Sequence, residues 1–180
     1  MLEQDVKKIL ITQEQIVRRC EELGKQITKD YEREGDLPIL VALLKGSVPF
    51  LCELMKHIDL PVELDFMDVS SYDGTESVGE VRVLKDLDRP IKNANILIVE
   101  DIIDTGKTLD SVMKLLKYKG AKRVDVVSLL DKPSRRVTPV EVRYIGFEVP
   151  NEFVIGFGLD FNEKYRNLPY VGVLKEECYL

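Results

Sequence analysis

Ile39–Leu44, Asn95–Val99 and Val124–Leu130 are nearly continuous apolar runs, and each is bounded by polar or glycine-containing turns. Runs of this length without alternation suit strands covered on both faces, which occur in parallel sheets flanked by helices. The segments between them have helical periodicity. Ile16, Cys20, Leu23, Ile27 and Tyr31 recur at steps of four, three, four and four, the apolar stripe of a long helix. Thr12 and Gln15 form a capping box at its start, and Gly35 and Pro38 end it. Ser47 is placed to cap a second helix with Pro49 in its first turn, running to about His57. Lys107–Tyr118 is a third helix, with Gly120 just past its end. Val6–Ile11, Val62–Val69, Val81–Leu84, Val142–Phe147, Phe153–Leu159 and Val171–Leu174 read as further strands. Strands alternating with short helices give an α/β fold with a mainly parallel twisted sheet flanked by helices. At 180 residues, the chain is expected to form one domain, 1–180.

Composition removes several function classes. The formal charge is -6, so no broad basic face for nucleic acid and no polybasic membrane patch is expected. No apolar run approaches the ~18 residues of a membrane span, and Met1–Ile11 lacks the pattern of a secretory signal. Cys20, Cys52 and Cys178 are far apart and odd in number, which gives neither a disulfide framework nor a zinc site and fits reduced thiols in the cytoplasm. His57 is the only histidine, at the end of a predicted helix, where a cation suits the dipole.

In open parallel sheets ligands bind beyond the carboxyl ends of the strands. Loops 44–47, 100–108 and 131–135 lie there. The second is the most informative: Ile96–Val99 runs into Glu100-Asp101-Ile102-Ile103-Asp104-Thr105-Gly106-Lys107-Thr108. Amides at the helix start, with the Thr105 and Thr108 hydroxyls, make a cradle for a phosphate. Three carboxylates beside such a cradle are unfavourable unless a divalent cation or sugar hydroxyls stand between. A triphosphate P-loop is excluded, since it needs glycine where Asp101 stands. Gly156-Phe157-Gly158 is not a dinucleotide fingerprint, because Phe161 occupies the third glycine's place. Ser70–Glu80 is polar, contains Gly74 and Gly79, and reads as a mobile loop.

Val99–Thr108 resembles the ribose-phosphate signature of type I phosphoribosyltransferases, in the form seen in the hypoxanthine-guanine phosphoribosyltransferases. Leu44-Lys45-Gly46-Ser47 is similar to that family's pyrophosphate loop, Ser71-Tyr72 to its closing loop and Ser128–Lys132 to its purine-reading strand and loop. Gly146–Pro150 through Asp160–Arg166 resembles the hood over the base, so the likeness runs from about Ile39 to Leu174.

The resemblance implies the type I fold, with a core at about 37–150, a hood built from the N-terminal segment and about 151–174, and a mobile loop at 70–80. It implies transfer of the phosphoribosyl group from 5-phosphoribosyl-1-pyrophosphate to hypoxanthine or guanine, with Mg2+ as cofactor. Glu100 and Asp101 would hold the ribose hydroxyls and magnesium, and Asp160 a second magnesium. Asp104 would accept the N7 proton, and Asp104, Thr105, Gly106, Lys107 and Thr108 would cradle the 5'-phosphate. Lys45, Gly46 and Arg166 would bind pyrophosphate, with a cis peptide before Lys45. Lys132 would donate to the 6-oxo group, Phe153 would stack on the base, and Val154 and Asp160 would complete the purine site. A homodimer or homotetramer is expected, with no nucleic-acid or membrane partner. Two alternatives stand beside this reading: another base preference, xanthine or a pyrimidine, and a regulator that keeps the fold and binds nucleic acid.

Overall fold

The computed structural model describes residues 2–71 and 81–179. Its centre is a six-stranded sheet in the order β4-β3-β2-β5-β6-β7. The strands are β2 (Pro38–Leu43), β3 (Glu63–Ser71), β4 (Val81–Lys85), β5 (Asn95–Ile103), β6 (Arg123–Asp131) and β7 (Tyr144–Glu148). All neighbours are parallel except β3 and β4, which pair antiparallel. A separate antiparallel sheet joins β1 (Val6–Ile11), β9 (Val171–Leu174) and β8 (Val154–Ile155), bringing the two ends of the chain together.

Strand alternation explains why the central runs are apolar throughout. Leu40, Ala42, Leu97, Val99, Val127 and Leu129 point to one face of the sheet, among Ile16, Cys20, Leu23, Ile27 and Tyr31 of helix α1 (Gln13–Glu34). Val41, Leu43, Ile96, Ile98, Val124 and Val126 point to the other, among Leu109, Val112 and Leu116 of α3 (Lys107–Tyr118). Each Val, Leu or Ile among them contributes about 1.5–3 kcal/mol by leaving water. The helix α2 (Val48–Leu54) adds Phe50, Leu51 and Leu54 to the first face. The capping box at Thr12 and Gln15 is formed, and Gly35 closes α1 in the left-handed region.

The elements depart from the sequence pattern in four places. The strand expected over Asn95–Val99 runs on into the loop expected at 100–108, because β-branched Ile102 and Ile103 continue β5 opposite Leu130 and Asp131. The strand expected over Phe153–Leu159 is reduced to Val154–Ile155. Gly156, Phe157 and Gly158 all have positive φ and turn the chain back on itself, so the apolar residues there line a loop. Ser47 does not cap α2. Its buried hydroxyl donates to the Leu43 carbonyl, and α2 gives way at Met55–His57 to a single 3-10 turn. Finally, β7 begins at Tyr144 rather than Val142. His57 sits at the end of that 3-10 turn, 3.1 Å from Glu53 Oε1, and the three cysteines are unpaired.

Candidate active site

The carboxyl ends of β2, β5 and β6 deliver the three loops to one place. Lys132 N donates to Ile103 O at 3.0 Å, and Val137 N and Thr138 N both donate to Thr105 O. Arg136 reinforces this junction from Nε to Asp104 O at 3.1 Å and from Nη2 to Asp131 Oδ1. Gly106 starts α3 at φ 82, and a side chain there would meet the Thr138 carbonyl at 2.4 Å. Glycine is therefore required twice over: for the left-handed conformation and for the close approach. Gly106 has no side chain to cap α3, and Thr105 Oγ1 accepts from Lys107 N at 3.4 Å. Glu100, Asp101 and Asp104–Thr108, Lys107 excepted, line a cavity of about 250 Å3 at its start, where backbone N–H groups and the dipole favour an anion.

Glu100 and Asp101 give this cradle an opposite charge. Burial, and then the neighbouring Asp101 charge, push Glu100 well above the usual carboxylate range. Burial raises Asp101 to about 6, against hydrogen bonds to its carboxylate from backbone N–H groups such as Ile102 N at 2.7 Å. Among the described residues no basic side chain pairs with either within 4.0 Å. Carboxylates held in this state suit a hard divalent cation with oxygen ligands, so the pair fits magnesium. Among the described residues no three His, Cys, Asp or Glu side chains converge on one point. That arrangement matches an ion shared with substrate phosphates and water rather than a closed protein cage.

The raised pKa has a measurable consequence for the ligand-free protein. The folded-state value of Asp101 lies above its ordinary value of 3.8, so between the two the native state holds the extra proton. Stability is then full below about pH 4 and falls as the pH rises through about 6, at about 1.4 kcal/mol per pK unit. Asp101→Asn should therefore raise the melting temperature at pH 8, by several degrees, and change it little at pH 4. Equal shifts at both pH values would remove burial of the Asp101 charge as the cause.

The loop after β2 meets the segment after β8 at the same point. The Leu44–Lys45 peptide is cis. A side chain at Gly46 would collide with Asp101 Oδ2, 1.6 Å away, and its far side faces the Gly158 carbonyl. Arg166 Nη1 donates to that carbonyl at 2.8 Å, and its Nη2 pairs with Asp160 Oδ1 at 3.0 Å. Lys45 Nζ reaches Glu163 Oε2 at 3.0 Å. Lys45, Gly46, Asp101, Asp160 and Arg166 thus form one cluster, with charges of both signs in contact.

A second cavity, about 480 Å3, opens beside it. Asp104 and Lys132 line it, as do Phe153, Val154, Ile102 and Leu159. Lys132 is buried, its Nζ donates to Glu152 O at 3.0 Å, and burial lowers its pKa against the pull of Asp104. Asp104 Oδ1 accepts from Arg135 Nε at 3.0 Å. Ser71 ends β3 with its backbone opposite Val81; Tyr72 and nearly all of the loop expected at 70–80 lie outside the described residues. Ile102, Leu159, Arg135, Glu152 and Tyr179 were not expected at this site. Ile102 stood within the loop expected at 100–108 and Leu159 at the end of the strand expected over Phe153–Leu159, neither with a role at the base. The others are brought in by contacts between distant segments, which no local pattern records.

The sequence matches the family described as "Phosphoribosyl transferase domain" over residues 7–162. It is 57% identical over 180 residues to a hypoxanthine-guanine phosphoribosyltransferase of Streptococcus thermophilus, covering 99% of each chain. The fold is similar to a crystal structure of a hypoxanthine phosphoribosyltransferase from Staphylococcus aureus, with TM-score 0.94, 49% identity, and 99% and 97% of the two chains covered. It is also similar to the Trypanosoma cruzi hypoxanthine phosphoribosyltransferase solved with its product IMP, at TM-score 0.92, 38% identity and 98% of each chain. With a family match over residues 7–162 and 57% identity along the full chain to such an enzyme, the chain belongs to the phosphoribosyltransferase family, among its hypoxanthine-guanine phosphoribosyltransferases.

Proposed function

We propose that this enzyme serves purine salvage, transferring the phosphoribosyl group from 5-phosphoribosyl-1-pyrophosphate to hypoxanthine or guanine and releasing IMP or GMP and pyrophosphate. The observation that carries the reading is the convergence of Asp104, Lys132 and Phe153 on one cavity, next to the anion cradle at the start of α3. The N9–C1' bond forms as the bond from C1' to the pyrophosphate oxygen breaks, through an oxocarbenium-like state.

Each residue has a task that its chemistry fits. Amides from Thr105 to Thr108 and their hydroxyls hold the 5'-phosphate. Glu100 and Asp101 accept hydrogen bonds from the ribose hydroxyls. Lys45, the Gly46 backbone and Arg166 hold the departing pyrophosphate, where the planar guanidinium fork matches phosphate oxygens. Lys132 donates to the 6-oxo group, Phe153 stacks on the ring, and the backbone at Val154 and Asp160 reads its edge. Asp104 takes the N7 proton once it leaves Arg135. Glu100 and Asp101 would hold one Mg2+ and Asp160 a second, and these ions would neutralise the charge that develops on pyrophosphate.

Presenting the protein with the donor, Mg2+ and one base at a time tests the reading. Hypoxanthine and guanine should be used, and orotate and uracil should not. Use of a pyrimidine in preference to both purines would overturn the assignment. We also infer a cytoplasmic protein, which the three unpaired cysteines support, and a homodimer or homotetramer. Among the described residues no helix is long and apolar enough to cross a membrane.

A further inference from the structure

Phe153 is an unusual place for a stacking platform, because the residue is 38% exposed and lies outside the buried core. An exposed phenyl ring exchanges rotamers, and a base that stacks on it must first order it. Two other rings supply that order here. Tyr179 lies stacked on Phe153, with centroids 5.2 Å apart and planes 26° apart. Phe161 meets Phe153 at 5.5 Å and 90°. Offset stacking and edge-to-face contact are the favourable arrangements of aromatic pairs.

The segment that carries Tyr179 is itself anchored. Leu174 N donates to Phe153 O at 2.9 Å, and Lys175 N donates to Asp5 O at 2.9 Å. A 3-10 turn at Glu176–Cys178 then brings Tyr179 over the Phe153 ring, and Tyr179 lines the same cavity as Lys132 and Asp104. The tyrosine is 37% exposed and contributes little to the core, so its position is not explained by packing alone.

We propose that Tyr179 is a positioning residue of the base site: it holds the Phe153 ring in the orientation that receives the purine and forms part of the wall of that cavity. The proposal rests on the reading of this cavity as the purine site. It assigns to the segment after β9 a share in base affinity, and none in donor binding or in the chemical step.

Steady-state kinetics of Tyr179→Ala, Tyr179→Leu and Tyr179→Phe against wild type provides the test, with hypoxanthine and 5-phosphoribosyl-1-pyrophosphate varied separately. One aromatic pair corresponds to about three- to tenfold in affinity. Tyr179→Ala and Tyr179→Leu should raise KM for hypoxanthine by about that factor and leave kcat and the donor KM within about twofold. Tyr179→Phe should restore the wild-type KM, since the ring and not the hydroxyl does the positioning. An unchanged hypoxanthine KM in the alanine variant would overturn the proposal. So would a lowered one, which would mean that the tyrosine blocks the base. A parallel rise in both KM values would also overturn it, because Asp160 stands next to Phe161 in the chain and a general loosening there would weaken both substrates. Failure of the wild type to use hypoxanthine at all would instead strike the substrate reading beneath it.

Discussion

Asp104→Asn is expected to lower turnover by about 10²–10⁴-fold while leaving donor binding nearly unchanged. The amide fills the same volume at the end of β5 and can still face Arg135, so the cradle at Thr105–Thr108 keeps its shape. In the proposed role it loses the capacity to take a proton from the base as the new bond forms. The carboxylate in the ligand-free protein is paired with Arg135, which is about half exposed and free to swing away. Single-turnover rates and calorimetric titration with the donor, measured on the same preparation, separate the two effects. Wild-type turnover across the pH range would remove Asp104 from its role as base.

The second large effect concerns the choice of base. Lys132 presents an ammonium, which donates hydrogen bonds and accepts none. Buried, and donating to the Glu152 carbonyl, it faces the cavity between Asp104 and Phe153. Hypoxanthine and guanine bring a 6-oxo acceptor to it. Adenine brings an amino group, and the buried cation is left with a donor opposite it. A site built around a buried hydrogen-bonding group rejects the mismatched analogue by roughly 10⁴-fold or more. Adenine should therefore be a very poor substrate. Lys132→Ala should cut kcat/KM for hypoxanthine and guanine by about 10–150-fold, the value of one charge-assisted hydrogen bond, with a much smaller change in donor KM. Adenine turnover close to that of hypoxanthine in the wild type would overturn the role of Lys132 and the substrate class with it.

Much of the architecture was legible because it depends on local rules. The stripe from Ile16 to Tyr31, the capping box at Thr12 and the left-handed stop at Gly35 each follow from neighbours in the chain, and all three stand in the structure. The acids at the end of β5 were legible for another reason: burying Glu100 and Asp101 beside one another is unfavourable enough to require a ligand. The parts that were not legible depend on distant segments. Phe153–Leu159 alternates like a strand, yet positive φ at three successive residues folds it into a loop against Gly46. The Ser47 hydroxyl turns back to the Leu43 carbonyl instead of capping α2. Arg135 on Asp104, the Glu152 carbonyl on Lys132 and Tyr179 on Phe153 each join residues more than 19 positions apart, and no periodicity or motif announces such pairs.

The stoichiometry of a single reaction tests the central claim most directly. The unmodified protein is incubated with 5-phosphoribosyl-1-pyrophosphate, Mg2+ and hypoxanthine, and nucleotide and pyrophosphate are measured together over time. The account predicts IMP and pyrophosphate in equal amounts, with neither formed when hypoxanthine or Mg2+ is withheld. Pyrophosphate released without matching IMP, or no IMP from any 6-oxopurine, would contradict it.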